Sequence, residues 1–463
     1  MHYEKFADGS VKCIEDEIPF ELPEGWSWAR LGNLSAAIQY GLSNSAETQG
    51  THRLLRITDI QDGKVDWNTV PYTTTDAQDT YLLKSGDIVF ARTGATVGKS
   101  FLITETPYPS VYASYLIRIR LLGNLSSEYI YQFFDSACYW SQITDKSVGV
   151  GQPNCNGTSL KELFIPLPPI NEQLKIVPTV QELLKYVSAI NADRKELLSI
   201  IANAKAKILD LAIRGQLVPQ NPDDEPASVL LERIRTEKEE LIRQGKIKHD
   251  KKESVIFKGE DNSYYETTDN NTECIDGEIP FDLPDGWVWC RLKSLAAPHE
   301  NSFVDGPFGS NLKTDHYTEN REVRIIQLNN IGEFVWKNNG IKYTTYKHAE
   351  SLERCKSYSG DIVIAKMMPA GRTIIVPDIE DIYVISSDCV RLQLPEYIDT
   401  EYIMYMMNSP TINEYILKDV QGIGRTRTSL GKLKELLVPI PPYNQQLYIS
   451  KIIKKVLKNF DAI

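Results

Sequence analysis

The chain has 463 residues, of which 51 are Lys or Arg and 62 are Asp or Glu, so its formal net charge is −11 at pH 7. Hydrophobic residues make up 42% and charged residues 24%, a composition that excludes a disordered or fibrous protein. At roughly 150 residues per domain the length predicts about three structural units, and the acidic balance weighs against a free-standing, tight nucleic-acid binder.

Two copies of one sequence unit are visible along the chain. Glu17–Leu31 reads EIPFELPEGWSWARL, and Glu278–Leu292 reads EIPFDLPDGWVWCRL. Further matches follow in the same order at a nearly constant offset. They pair Gly86–Arg92 with Gly360–Lys366, Leu160–Leu163 with Leu433–Leu436, and Pro166–Gln173 with Pro439–Gln446. The order and number of these matches predict an internal duplication.

Each copy is predicted to begin with short strands and to continue into a helix. Leu54–Ile57, Asp87–Phe90 and Tyr115–Arg120 carry β-branched and aromatic residues between Gly, Asp and Asn, a pattern that is typical of strands. Apolar residues then recur at helical spacing over 127–141, which predicts a short helix. The copy closes with the proline-rich elbow of Pro166–Gln173.

Behind this elbow the sequence predicts a long helix over 179–214. Apolar residues recur there at alternating spacings of four and three, the heptad pattern of a coiled coil. The pattern is interrupted once, by Arg194. Its apolar members are Ile176, Val180, Leu183, Val187, Ile190, Leu197, Ile201, Ala204, Ile208 and Leu211.

The rest of the chain completes the predicted architecture. A second, charged helix from Asp223 to Lys246 is expected to fold back on the first, and the polar stretch 249–277 is interpreted as a linker. The fold class is therefore α+β, with two tandem mixed α/β units joined by long antiparallel coiled-coil helices in a pseudo-twofold internal repeat. The predicted boundaries are 1–170 for the first unit, 171–248 for the central helices, 249–277 for the linker, 278–442 for the second unit and 443–463 for a short second copy of the helix.

Several catalytic motifs are approached but not matched. Thr93–Ser100 resembles a phosphate-binding loop, yet Thr93 occupies the position of its first glycine, so a β-turn is the better interpretation. Asp87 and Asp361 start predicted strands as turn residues, without the clustered carboxylates of a metal-dependent nuclease. No glycine-rich methyl-donor loop and no Asn/Asp-Pro-Pro-aromatic segment occurs in the sequence. The pattern predicts a chain that is not an enzyme.

Metal, disulfide and membrane signals are likewise missing from the sequence. The seven cysteines contain no C-x-x-C pair, and the six histidines show no ligand spacing, so no bound metal is expected. No stretch approaches the ~20 apolar residues of a membrane span, and the first residues show no basic-then-apolar signal. We therefore expect a cytoplasmic protein.

The loops of the two copies carry unlike polar and aromatic side chains on a repeated scaffold. Arg and Lys can bind the O6 and N7 atoms of guanine, and Asn and Gln can bind N6 and N7 of adenine. Each such residue taken alone is more simply a solvated surface residue, so the prediction depends on the set. The candidate DNA-binding residues are Tyr40, Ser43, Arg53, Arg92, Thr93, Lys99, Gln152 and Asn154 in the first copy, and Phe308, Ser310, Asn311, Lys313, Lys366, Arg372, Arg425 and Arg427 in the second. Tyr40 and Ser43 are matched with Phe308 and Lys313, Arg92 with Lys366, and Gln152 and Asn154 with Arg425 and Arg427.

The order of these motifs resembles the DNA-specificity subunits (S subunits) of type I restriction-modification systems. The likeness lies in the duplicated elbow, in Ala212–Gln220 (AIRGQLVPQ) leading into Asp223–Leu231, and in Asp305–Lys313 (DGPFGSNLK). It implies two target-recognition domains that each read half of a bipartite DNA site, with no cofactor on this chain. Methyltransferase (M) subunits, which flip the target adenine, and a restriction (R) translocase subunit would bring the methyl donor and ATP.

The resemblance also implies a partner interface on the helices. Family members usually carry a longer second helical region than 443–463, so we expect either that the short helix packs on the central pair or that assembly is altered. Two other interpretations stay open, a self-sufficient DNA methyltransferase or nuclease and a protein-binding scaffold without a DNA role. The expected interface residues are Leu183, Val187, Ile190, Leu197, Ile201, Ile208, Ile453, Val456 and Phe460.

Overall fold

A computed structural model describes residues 1–61, 63–147, 154–249, 253–268, 271–367, 369–418 and 427–460. The chain divides into two compact units, unit 1 (Met1–Asp193) and unit 2 (Arg194–Ile463). The strands that begin in unit 1 are β1 (Tyr3–Lys5), β2 (Val11–Cys13), β3 (Ser27–Arg30), β4 (Ser35–Tyr40), β5 (His52–Leu55), β6 (Ile60–Gln61), β7 (Lys64–Val65), β8 (Tyr72–Thr73), β9 (Ile88–Ala91), β10 (Ser100–Leu102), β11 (Ser110–Tyr112), β12 (Leu116–Leu121) and β13 (Phe164–Leu167). Its helices are α1 (Leu31–Leu34), α2 (Gln78–Tyr81), α3 (Ser127–Phe133), α4 (Ala137–Lys146), α5 (Gly157–Lys161) and α6 (Ile170–Ile213), which continues into unit 2.

Unit 2 repeats most of this series of elements, and its first sheet has one strand more than the first sheet of unit 1. The strands are β14 (Ser254–Lys258), β15 (Tyr264–Thr268), β16 (Asn271–Cys274), β17 (Val288–Arg291), β18 (Phe303–Asp305), β19 (Tyr317–Thr318), β20 (Val323–Ile326), β21 (Tyr343–Thr344), β22 (Lys356–Ser357), β23 (Ile362–Ala365), β24 (Thr373–Ile375), β25 (Tyr383–Ile385), β26 (Cys389–Leu392) and β27 (Leu437–Ile440). The helices are α7 (Ala227–Arg243), α8 (Tyr346–Glu350), α9 (Thr400–Met407), α10 (Pro410–Lys418), α11 (Leu430–Lys434) and α12 (Tyr443–Phe460).

The duplication predicted from sequence is present in the sheet topology. Unit 1 contains an antiparallel sheet in the order β10-β9-β12-β4, and unit 2 contains its equivalent in the order β24-β23-β26-β18. A second sheet pairs β5 with β11 in parallel, as β20 pairs with β25 in unit 2. A third pair joins β3 to β13 and β17 to β27. The predicted α+β fold class with an internal repeat is therefore confirmed.

The central strand of each four-stranded sheet is buried on both faces, which explains its continuous apolar sequence. In β9, Ile88 and Phe90 join the apolar cluster formed with α3 and α4, whereas Val89 and Ala91 join the cluster of the smaller β5–β11 sheet. The residues of β23 alternate in the same way between two clusters of unit 2. Each sheet is therefore a layer between helices on one face and a second sheet on the other.

The proline-rich elbow is fixed by a buried glutamine. Gln173 is 2% exposed; its Oε1 accepts a hydrogen bond from the Ser126 backbone N–H at 3.1 Å, and its Nε2 donates to the Pro168 carbonyl at 2.8 Å. The Tyr129 hydroxyl donates to the Pro166 carbonyl at 2.6 Å. The equivalent bonds of unit 2 run from Tyr402 to Pro439, from Asp399 to Gln446 and from Gln446 to Pro441, each at 2.9 Å. The repeated elbow motif therefore ties the start of the following helix to its own unit.

An arginine cluster is repeated as well. The Arg30 guanidinium contacts Glu4 and Glu17, each at 2.9 Å, and donates to the Glu162 carbonyl at 2.9 Å. In unit 2, the Arg291 guanidinium contacts Glu266 at 2.5 Å and Glu278 at 2.9 Å, and it donates to the Glu435 carbonyl at 3.0 Å. Both arginines lie on the β3–β13 or β17–β27 pair, so these ion pairs hold the N-terminal strands of each copy to the sheet.

Two sequence predictions about local structure need correction. The helix expected over 127–141 is divided into α3 and α4, because the Ser136 side chain accepts a hydrogen bond from the Tyr139 N–H and starts a new helix. The stretch 249–277 is not a linker, since β14, β15 and β16 form an antiparallel sheet there. Ile256 and Ile275 of this segment are buried against Trp289.

The helices also differ in part from the prediction. α7 buries Ala227, Leu230 and Ile234 in the core of unit 2, together with the last turns of α6, instead of folding back along the whole of α6. α12 joins the same core, so the short second copy of the helix does pack near the end of the first one.

Candidate nucleic-acid interface

In unit 1, the turn after β9 meets the segment that leads into α5. Thr93 forms an isolated antiparallel bridge with Asn154, and the Cys155 N–H donates to the Arg92 carbonyl at 3.0 Å. The phosphate-loop-like segment Thr93–Ser100 is the connection of the β9–β10 hairpin, with a single 3-10 turn. It does not lead from a strand into a helix, as a phosphate-binding loop requires. The turn interpretation is therefore correct.

The Arg92 side chain is held by an aromatic ring. Its guanidinium carbon lies 5.0 Å from the centroid of the Tyr40 ring, within the range of a cation–π contact. The Tyr40 hydroxyl in turn accepts a hydrogen bond from the Gly157 N–H at 2.8 Å. Arg92 is half-buried, and its Nε is buried without a hydrogen-bond partner. The ring and its tether therefore fix the direction of the guanidinium.

Unit 2 repeats this turn with other side chains. Met367 forms an isolated bridge with Arg427, and the Thr428 N–H donates to the Lys366 carbonyl at 2.9 Å. The hairpin pairing makes Arg92 equivalent to Lys366, and the two bridges make Asn154 equivalent to Arg427. These two matches, which were made from the sequence, agree with the structure.

The match of Tyr40 with Phe308 is wrong by three residues. Tyr40 lies opposite Ile117 on β12, and Asp305 lies opposite the equivalent residue, Val390, on β26. Tyr40 therefore corresponds to Asp305, a residue that the sequence comparison did not select.

The glycine that follows each of these residues confirms the register. Gly41 and Gly306 both approach another backbone so closely that an added Cβ would lie 2.3 Å from the Ala113 carbonyl oxygen or 1.9 Å from the Ser386 carbonyl oxygen. Such distances exclude any side chain. An alignment on these two glycines would have paired Tyr40 with Asp305.

This correction changes the role of Lys366. The Lys366 ammonium lies 2.8 Å from Asp305 Oδ1, and its side chain is only 8% exposed. Its charge is paired inside the domain, an arrangement that disfavours the predicted direct contact with DNA. Arg427 is different, because its side chain is 54% exposed and its nearest described carboxylate, Asp388, is 3.7 Å away.

A loop of unit 2 presents an aromatic ring to solvent. Phe308 is 78% exposed, and its carbonyl accepts a hydrogen bond from the Asn311 N–H at 2.8 Å, which closes a turn. The Asn311 carbonyl lies 2.9 Å from Nε2 of His348, and Ser310 and Lys313 are exposed on the same loop. Because this loop follows β18 directly, it starts at Asp305, beside Lys366.

The remaining candidate DNA-binding residues differ in their exposure to solvent. Arg53 is 8% exposed, its guanidinium lies 3.9 Å from the Tyr72 ring centroid, and it donates to the Val70 carbonyl. These internal contacts disfavour its predicted role as a DNA contact. Ser43 and Lys99 are exposed, and Arg372, the equivalent of Lys99, is half-buried. Gln152 and Arg425 lie outside the described residues.

A basic groove adjoins the Asp305–Lys366 ion pair of unit 2. It has a volume of about 620 Å³ and is lined by more basic than acidic side chains, among them Lys248, Arg354 and Lys434. Asp305, the partner of Lys366, is one of the residues that line the groove. Positive side chains along a groove are suited to the phosphates of a nucleic acid.

The expected partner interface on α6 is largely uncovered. Leu183 is 57%, Val187 52%, Ile190 65% and Leu197 42% exposed. Ile201 is half-buried, and Ile208 packs against the core of unit 2.

The interface residues expected on α12 are in a different position. Ile453 is fully buried in the core of unit 2, a position that disfavours its predicted place in a partner interface. Phe460 packs on that core, and Val456 is half-buried. The apolar heptad positions of α12 therefore pack inside unit 2.

The buried thiols have no nucleophilic environment. Burial raises the pKa of Cys155 to about 11 and that of Cys389 to about 12, so both stay protonated at neutral pH.

Among the helices that the structure describes, none combines the length and apolarity needed to cross a membrane.

Comparison with known proteins places these features in a family. The family model "Type I restriction modification DNA specificity domain" matches residues 38–199 and 318–463. The specificity subunit of the type I restriction enzyme EcoEI from Escherichia coli is 23% identical over 529 aligned positions, covering 98% of this chain and 81% of the relative. The EcoAI specificity subunit, also from Escherichia coli, is 27% identical over 336 positions, covering 61% of this chain and 52% of the relative.

A solved structure has the same fold. It comes from a study of complex assembly and conformational transition of the type I R-M system, and it superimposes with a TM-score of 0.60 at 17% sequence identity. The match covers 96% of this chain and 93% of that chain. At this identity the likeness supports the architecture, including the two tandem domains, and not individual side-chain roles.

Proposed function

The chain belongs to the type I restriction-modification DNA specificity family, and we propose that it reads the two halves of a bipartite DNA site for such a complex. One observation carries the proposal. The same strand bridge occurs in both units, and its exposed member is Asn154 in unit 1 but Arg427 in unit 2. A rigid scaffold with unlike exposed side chains suits two modules that recognise different sequences.

We assign DNA contacts to the exposed or half-buried candidates alone. Their amide, guanidinium and ammonium groups match the acceptors and donors of base edges in the major groove, and the basic groove of unit 2 matches phosphates. The proposed contacts are Tyr40, Ser43, Arg92, Thr93, Lys99 and Asn154 in unit 1, and Phe308, Ser310, Asn311, Lys313, Arg372 and Arg427 in unit 2.

The proposed domains follow the predicted ones with one change. The first target-recognition domain spans 1–170, and the second begins at Ser254, because β14–β16 pack on it, and ends at Pro442. The chain itself is proposed to be non-catalytic. M subunits would dock on the helical region and supply the methyl donor, and an R subunit would supply ATP-dependent translocation.

The test is to co-express the chain with the methyltransferase subunit of its own operon and to map modified adenines across the host genome by single-molecule sequencing. A new two-part motif with a fixed gap is the expected result. A host that expresses the methyltransferase subunit alone is the control and should show no such motif.

Two results would contradict the proposal. Methylation by the purified chain alone, with the methyl donor supplied, would identify an enzyme instead. Co-purification of the two proteins without modification or duplex binding would favour a protein scaffold.

A further inference from the structure

The two units place a cationic side chain differently around the same strand bridge. In each unit the bridge joins the second residue after the β9 or β23 strand to a residue ahead of the α5 or α11 helix. The position before the bridge holds Arg92 or Lys366, and the position across it holds Asn154 or Arg427. Both units therefore have a basic residue before the bridge, but only unit 2 has one across it.

In unit 1 the residue before the bridge is free to act on a ligand. Within the described part of the chain, Arg92 has no carboxylate partner, and its guanidinium rests on the Tyr40 ring. Stacking on an aromatic ring orients a guanidinium without using its terminal N–H donors. Across the bridge, Asn154 is exposed and neutral. Of the two positions around the bridge in unit 1, Arg92 is thus the one that offers a cation.

In unit 2 the equivalent cation is occupied. Asp305, which replaces Tyr40, lies 2.8 Å from the Lys366 ammonium, and the lysine side chain is 8% exposed. Moving Lys366 toward a DNA base would leave Asp305, which is 33% exposed, unpaired beside the phosphates. This movement is unfavourable because it breaks the ion pair and because a half-buried carboxylate and a phosphate repel each other. Arg427 is the more available cation here, because its side chain is 54% exposed and its contact with the Asp388 carboxylate is longer, at 3.7 Å.

We propose that the two domains read DNA with a guanidinium from opposite sides of one bridge, Arg92 in unit 1 and Arg427 in unit 2, while the Asp305–Lys366 pair is a neutral structural element. The ligand of each guanidinium is the O6/N7 edge of a guanine, which accepts two parallel N–H bonds from arginine. This inference rests on the proposed function. It predicts that substitutions at equivalent positions of the two domains have unequal effects.

The test uses the full chain co-expressed with its methyltransferase subunit, with the modified motif of the wild type as the reference. Arg92→Lys and Arg427→Lys keep the charge but remove the bidentate fork. Each is expected to reduce discrimination at one base of one half-site by about 5- to 150-fold, and the two variants affect different halves. The paired variant Asp305→Asn with Lys366→Met is expected to keep the wild-type motif.

The single substitution Lys366→Met is compared with the paired variant. Lys366→Met alone leaves Asp305 unpaired and is expected to lower modification of all sites, and adding Asp305→Asn restores it. Thermal unfolding of each purified variant, together with co-purification of the methyltransferase subunit, identifies any variant that fails to fold. For such a position, Arg92→Gln or Arg427→Gln replaces the lysine variant.

The outcomes separate this inference from the proposed function. Absence of any bipartite motif with the wild-type chain contradicts the proposed function itself. If the wild type gives a motif but the two lysine variants keep it unchanged, the guanidinium groups contact phosphates, and the inference is overturned. It is also overturned if both variants change the same half-site, or if the paired Asp305→Asn, Lys366→Met variant alters one base of the motif.

Discussion

The uncovered apolar residues of α6 provide the sharpest test of partner docking. We consider the triple variant Leu183→Gln, Val187→Thr, Ile190→Gln. The wild-type side chains are 57%, 52% and 65% exposed, so a partner could still remove more than half of each from water. Fully burying such a side chain is worth ~1.5–3 kcal/mol, which leaves ~1–2 kcal/mol for each and about 3–5 kcal/mol for the three. Partner affinity should therefore fall by roughly two to three and a half orders of magnitude, at 1.4 kcal/mol per tenfold.

The assay is titration calorimetry of the purified chain with the methyltransferase subunit, accompanied by chemical denaturation of the chain alone. Because these side chains are exposed, the free energy of unfolding should change by no more than ~0.5 kcal/mol. A matched control, Lys185→Gln with Ala192→Gln, changes exposed positions of the same helix outside the heptad pattern and should bind as the wild type does. Unchanged affinity of the triple variant would refute docking on this face, and so would equal weakening by the control.

Three further predictions concern the repeated scaffold. Gln173→Ala and Gln446→Ala should each destabilise their own unit by about 2–4 kcal/mol in urea denaturation, because each leaves two buried backbone groups without partners. Gly306→Ala should prevent normal folding of unit 2, seen as lost cooperativity in thermal unfolding, because its Cβ would meet the Ser386 carbonyl; a wild-type transition would contradict the register. The hydrogen bond from Arg291 lowers the pKa of Glu266 below its usual 4.5, so this pair stabilises the fold above that pH and the contribution is lost as pH falls through the lowered value. Glu266→Gln should flatten this acid-side loss in a pH series of unfolding midpoints, and an unchanged slope would contradict the assignment.

Much of the architecture could be predicted because local pattern and tertiary role agree. The apolar run at β9 is continuous since both faces of that strand are covered, and the elbow motif recurs since one glutamine satisfies two backbone groups in each copy. The small sheet of β14–β16 was missed for the opposite reason. It needs few buried apolar residues, and it is held by Glu266 pairing with Arg291, so its composition is that of a linker.

The candidate site was predicted less well than the fold. Arg53 and Lys366 are basic residues near loops, and the sequence does not reveal that Tyr72 and Asp305 cover them. These partners are brought together by strand register, which a one-dimensional alignment does not contain. The strand predicted at Leu54–Ile57 leaves Arg53 outside it, whereas the strand in the structure is His52–Leu55 and includes Arg53.

The two copies share the residues that stabilise each unit but differ in the residues around the strand bridge. The groups that hold each unit together, such as Arg30 and Arg291, are the same in both and make the same contacts. The positions around the bridge differ in charge and in partner, although the backbone hydrogen bonds around them are equivalent. Because stability comes from one set of residues and surface chemistry from another, a substitution at Asn154 or Arg427 changes what is presented to a ligand at little cost in folding free energy. Under the proposed function, this separation would let one scaffold, used twice in a chain, recognise two unlike half-sites.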